Sequence, residues 1–232
     1  MKHNRNTSPC PTGRETLSGA CYLAFQLLLL PSLLFWANDR LTDPLSQAEL
    51  NFLFYLVNFM AMLLIFHNFL GRSMAYALHH VGDTLEAVIL GLAAYYACRY
   101  LTQTGIRLFI PSFTNYNDAT IAALNRSSFF LTFIGTVVLV PPFEECIYRG
   151  VLFRNLYSKN PWLAYTVSIL AFSAIHILGF LEQYQPLELL IAFAQYLPAG
   201  LCLAWSYIRG GSIFAPIAIH VAVNYFTLTG MR

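Results

Sequence analysis

Apolar residues in this chain come in long blocks, with no short-period alternation. Seven blocks stand out: residues 17–37, 49–70, 81–101, 127–143, 161–181, 186–208 and 212–230. A helix needs about 20 mostly apolar residues to cross a bilayer. In lipid, every backbone amide must be satisfied within the segment, so spans of this length are helices. The pattern predicts an all-α, polytopic membrane bundle of about seven spans. Residues 1–16 read as a polar N-terminal tail and 17–232 as a single integral-membrane domain. The longest connection, residues 102–126, is the one loop able to form a small structured element. Its weak apolar piece "GIRLFIP" reads as interfacial.

Composition supports that class. The 232 residues are 57% hydrophobic and 10% charged, where a soluble domain carries about 25% charged residues. Lys2, Arg5 and Arg14 precede the first block. The block is too long for a signal-peptide core and no A-x-A-like site follows it, so a signal anchor is expected. With the N-terminus inside, the inner loops carry Lys2, Arg5, Arg14, Arg72, Arg154, Lys159 and Arg209. The outer set is Arg40, Arg99, Arg107, Arg126 and Arg232, a small lean under the positive-inside rule. A net charge of +2 points to no nucleic-acid partner. The five cysteines (Cys10, Cys21, Cys98, Cys146, Cys202) show neither CxxC nor metal-ligand spacing. Most read as small apolar side chains.

Against this apolar background, "VVLVPPFEECIYRGVLFRNL" (137–156) places Glu144, Glu145 and Arg149 at the end of an apolar run. Ionisable groups in a span are costly and are functional candidates by default. A helix restarting after Pro141-Pro142 suits proline at its first positions and carboxylates near its positive end. Glu145 and Arg149 are then i and i+4, on one face. Glu144 lies about 100° round the helix, so Arg149 neutralises Glu145 and leaves Glu144 as a spare carboxylate, a candidate general base. Two further polar positions sit in apolar spans: His176 in "FSAIHI", and His220 with Asn224 (i, i+4) in "APIAIHVAVNYF". Taken singly, each has a structural reading: glutamates facing water, a satisfied core histidine, or a His–Asn bond that glues helices. Taken together, polar groups buried in lipid must find one another, so the three stripes are expected to converge.

"EECIYRG", "FSAIH" and "HVAVN" resemble, in order, the three motifs of the CPBP family of intramembrane proteases. That family includes CAAX prenyl endopeptidases and the bacteriocin-processing and immunity (Abi) proteins. The resemblance covers residues 127–230, the expected protease core within the last four spans; "AGLCLAWSYIRGGSIFAPIAIHVAVN" also follows the family's span–turn–His-helix pattern. It implies a glutamate-dependent endopeptidase. Glu144, assisted by His176, activates water; Glu145 and Arg149 support it; His220 and Asn224 donate to the oxyanion; Phe172 packs the wall. It implies as partners a membrane-associated protein or peptide substrate and the lipid bilayer; no cofactor is expected, on the residue arguments against zinc given below. The compact chain is expected in a prokaryotic cell membrane. Its site is expected near the face that holds Arg154, Asn155, Lys159 and Asn160, the cytoplasmic one.

Other chemistries fit less well. There is no H-E-x-x-H. A rhomboid-like reading of Ser212 with His220 leaves the glutamates unused, and no pair of aspartates lies in the spans. Glu144, His176 and His220 have the ligand count of a His₂Glu zinc site. Against zinc, Glu145 is committed to Arg149, leaving no carboxylate to orient a ligating histidine, and Asn224 suits oxyanion donation. Alternatives from other classes are a proton-coupled transporter and a catalytically silent membrane scaffold.

Overall fold

The computed structural model describes residues 8–231. Lys2 and Arg5, in the expected polar tail, lie outside them. The described residues form helices and no strand: α1 (Gly13–Leu28), α2 (Leu30–Asn38), α3 (Gln47–His79), α4 (Val81–Phe109) and α5 (Tyr116–Ser127) come first. They are followed by α6 (Phe129–Tyr157), α7 (Pro161–Leu178), α8 (Pro186–Gly210) and α9 (Phe214–Thr229). The protein is a polytopic helical bundle.

All seven apolar blocks are helical, but the span count differs from seven. Five helices among the described residues are long and apolar enough to cross a membrane, and a bent pair makes six. The first block is that pair: α1 and α2 meet at 47°. Pro31, at the start of α2, lacks an N–H and crowds the preceding turn. The last block, α9, has 16 residues, or about 24 Å. Helix starts follow local capping chemistry. Thr12 and Glu15 cap each other at the head of α1, which begins at Gly13 and not at residue 17. Ser46 and Glu49 do the same for α3. Glu15 also accepts from the Phe69 N–H at 2.8 Å and pairs with Arg72 at 3.0 Å, locking α1 against α3.

The helix expected to restart after Pro141-Pro142 does not restart. α6 runs unbroken through both prolines by widening: Ile134–Leu139 and Cys146–Arg154 form π-type turns. Such turns are frequent at functional sites. Val140 N–H bonds back to Gly135 O, five residues away. In that register Thr136 O would next face the nitrogen of Pro141, which has no proton to give.

The two ends of the bundle are distinct. At one end the N-terminal segment meets α6 and α8. Arg154 donates to Ser8 O, Asn155 to Thr16, Tyr207 to Pro9 O, and Ser212 to Ser73 O. The α8–α9 turn lies here, with Gly211 at φ +66° against the Tyr76 ring; only glycine takes that conformation without strain. At the other end, α5 packs over the 179–185 turn and α8. Tyr116 N–H donates to the Tyr184 hydroxyl, and Asn115 and Asn117 donate to that of Tyr196.

Candidate active site

A cavity of about 750 Å³ opens from the middle of the bundle. Glu144, His176, His220 and Asn224 all line it. Glu145 and Arg149 sit directly behind, each 0% exposed. The three polar stripes read from the sequence therefore do meet.

The i, i+4 pair forms as helix geometry requires. Arg149 Nε lies 3.2 Å from Glu145 Oε2, and Nη1 donates to Oε1 at 3.2 Å. Arg149 also donates to Gly200 O on α8 at 3.2 Å and lies 4.3 Å over the Phe172 ring. A buried ion pair needs further hydrogen bonds to offset its desolvation, and Arg149 draws on three helices for its contacts, while Nε and Glu145 Oε2 face each other in the ion pair without an aligned hydrogen bond. Phe172 thus does more than line a wall. Its ring bridges Arg149, His176 (4.7 Å) and His220 (5.8 Å).

Glu145 has a second partner that the sequence did not disclose. His220 Nδ1 lies 2.8 Å from Glu145 Oε1. The carboxylate can only accept, so Nδ1 carries a proton and Nε2 is left for other partners. That Nε2 is 3.9 Å from Glu144 Oε2. His176 is held likewise: its Nδ1 is 2.8 Å from Phe172 O, a pure acceptor, which leaves Nε2 as the basic nitrogen. The His176 ring stacks on Tyr196 at 4.3 Å. Glu144 stands apart, and its Oε2 accepts no hydrogen bond among the described residues. Asn224 takes a role the spacing did not predict. Its Nδ2 donates at 2.8 Å to Thr136 O, the carbonyl that Pro141 leaves without a donor. One amide proton is thereby committed and the other is available.

Two expectations change. Glu145 is not committed to Arg149 alone, so a carboxylate does orient a histidine here, and that argument against zinc falls. Glu144, His176 and His220 are right in kind for a metal. Yet among the described residues no three His, Cys, Asp or Glu side chains are close enough to hold an ion. The cavity also opens at the other end from the one expected. Its lining includes Asn115, Asn117, Gly179 and Met231, from the α5 end. Proximity in sequence to Arg154–Asn160 misled, because α7 reverses direction and carries His176 15 residues away from Pro161.

The sequence also missed several cavity residues: Tyr55, Asn58, Arg99, Asp118 and Tyr196. Asn58 bonds the Tyr22 hydroxyl at 3.0 Å and was findable, being an amide in an apolar span. Arg99 was assigned to an outer loop, but α4 continues to Phe109. Asp118 belongs to the one connection that folds into a helix, and burial pushes its carboxyl up.

Residues 126–226 match the model of a family described as type II CAAX prenyl endopeptidase, Rce1-like. The chain is 31% identical over 94 residues to an uncharacterized 24.3 kDa protein of Escherichia coli, spanning 39% of this chain and 40% of that one. It is 29% identical over 153 residues to the UPF0177 protein YbdI of Lactococcus lactis subsp. lactis (strain IL1403), spanning 64% and 72%. No solved structure matches. The matched segment contains Glu144, Glu145, Arg149, His176, His220 and Asn224. Residues 126–226 are thus similar to the Rce1-like type II CAAX prenyl endopeptidase family, and the match spans the three motifs.

Proposed function

We propose that the protein is an intramembrane endopeptidase in which Glu144 activates water. One observation carries this reading: Glu145 Oε1 accepts from both Arg149 and His220 and its Oε2 lies 3.2 Å from Arg149 Nε, while Glu144, its neighbour in sequence, lines the cavity with no such partners and an Oε2 that accepts no hydrogen bond. Water held between Glu144 and the bare Nε2 of His176 loses a proton to this pair as its oxygen bonds to the scissile carbonyl carbon. The oxyanion so formed takes hydrogen bonds from the second amide proton of Asn224 and from His220 Nε2, which receives the water proton through Glu144, 3.9 Å away. Glu145 favours that protonated ring, since an imidazolium would lie between two carboxylates. Donors fixed where charge develops in a dry site are worth several kcal/mol, about 10²–10³ in rate per donor. The C–N bond then breaks, and the proton taken from water passes to the departing amine. The substrate class is a membrane-associated protein or peptide, cut without a metal.

The experiment is a pair of substitutions assayed on a lipidated peptide library. Glu144→Gln should abolish cleavage in protein that inserts and purifies normally. Retained proteolysis in Glu144→Gln, with clean loss in a well-folded Glu145→Gln, would reverse the two roles.

A further inference from the structure

His176 stands in the last turn of α7, which ends at Leu178. Helix ends fray, yet a base must keep its nitrogen within hydrogen-bond reach of the proton it takes. One hydrogen bond, from Nδ1 to Phe172 O at 2.8 Å, fixes the ring from within its own helix. A second restraint comes from α8. The Tyr196 ring stacks on the imidazole, with centroids 4.3 Å apart and planes 25° from parallel. Its hydroxyl reaches the start of α5. It accepts from Asn115 Nδ2 and Asn117 Nδ2, both at 3.1 Å, and donates to Asn115 Oδ1 at 3.3 Å. The Asp118 carboxyl faces the same hydroxyl. Asn115 is also the cap of α5, accepting the Asp118 N–H on Oδ1, and its amide donates to Gln195 at 2.6 Å. One phenol therefore touches both a proposed catalytic ring and the helix laid over the cavity.

The two histidines of the site are held in different ways. His220 is fixed by Glu145, which is 0% exposed and locked to Arg149. His176 leans on a ring whose far partners, Asn115 and Asn117, are only half-buried. Water can satisfy those amides when they let go, so the start of α5 can lift at small cost. At its other end α5 joins α6 through Ser128, a single residue of extended backbone between two helices, the kind of position that absorbs a hinge motion. A phenol is rigid, so a shift of its hydroxyl carries its ring face with it. We propose that Tyr196 is a positioning residue that seats the His176 imidazole and ties that seat to α5. His176 is then aligned for proton transfer when α5 lies over the cavity, and loses alignment when α5 lifts. This rests on the protease reading above.

The test reads the His176 ring directly. Full-length protein labelled at the histidine ring carbons is observed by NMR in detergent, with His176→Gln assigning the signal. Hydrogen exchange of the α5 amides is followed by mass spectrometry, and kcat and KM are measured on a lipidated peptide that wild type cleaves. Tyr196→Leu removes the stack. It should erase the ring-current shift of the His176 signal and lower kcat by about tenfold to a hundredfold, the effect of a small misplacement, with KM nearly constant. Tyr196→Phe keeps the stack and loses the hydroxyl. It should restore most of the shift, while α5 exchanges about two- to tenfold faster, the worth of a hydrogen bond. Asn117→Ala should speed exchange in the same way and add nothing in the Tyr196→Phe background. An unchanged His176 signal or an unchanged kcat in Tyr196→Leu overturns the seat, as does a rise in KM alone. Additive effects of Asn117→Ala and Tyr196→Phe on α5 exchange overturn the tie to α5. No cleavage of any peptide by wild type, with the His176 shifts and the non-additivity as expected, overturns the protease reading and leaves the link from α5 to His176 standing.

Discussion

Glu145→Gln isolates the energetics of the site from its chemistry. The substitution keeps shape and removes one buried charge. In the wild type that charge is fully enclosed and compensates an equally enclosed Arg149 through two contacts of 3.2 Å. It also accepts from His220 at 2.8 Å. Glutamine offers one acceptor oxygen in place of two, and its amide points donors at a guanidinium or an imidazole N–H, which are donors themselves. Removing one partner of a buried pair costs about 3–5 kcal/mol. By the scaling for chains of this size that lowers the unfolding midpoint by on the order of 10 °C. Glu144→Gln should shift it little, because Glu144 Oε2 has no hydrogen bond to lose. The assay is thermal unfolding of purified protein in one detergent, for wild type, both single variants and Glu145→Gln with Arg149→Gln. The double variant should recover part of the loss, since the uncompensated cation is gone. Equal midpoints for the two single variants, or a larger drop for Glu144→Gln, refutes the division of labour between the glutamates.

Three further outcomes follow from the geometry. Asn224→Ala removes the donor to Thr136 O and should destabilise by about 1–3 kcal/mol, the cost of an unsatisfied buried acceptor; a midpoint equal to wild type means that the π-type turns of α6 need no such support. In a cysteine-less background, single cysteines at the exposed positions Lys159 and Gln183 should label from opposite sides of the membrane, with position 183 on the side of the cavity mouth; labelling of both from one side contradicts the topology. Prolonged treatment of the purified enzyme with a strong chelator should leave proteolysis intact, with well under one equivalent of zinc bound. Zinc near one equivalent, lost with activity and restored with it, would move His176 and His220 into ligand roles.

What the sequence determines here is local. Seven apolar blocks had to become helices, because lipid offers backbone amides no other partner. The pairing of Glu145 with Arg149 follows from a spacing of four on a helix. The caps at Thr12 and Ser46 lie within four residues of the groups they bind. Everything that crosses between helices was decided by packing. His220 reaches Glu145 across 75 residues, and Asn224 reaches Thr136 O across 88. Neither distance has a period that a sequence pattern can display. The tolerance of α6 for two prolines depends on that second contact, which is why the chain reads as broken where the helix continues. Arg99 and Asp118 look like loop charges until α4 is seen to extend to Phe109 and α5 to fold over the cavity. The end of the bundle at which the cavity opens follows from the reversed directions of α6 and α7. Direction is a property of the assembled bundle, so the basic residues nearest in sequence to Arg149 pointed to the wrong end.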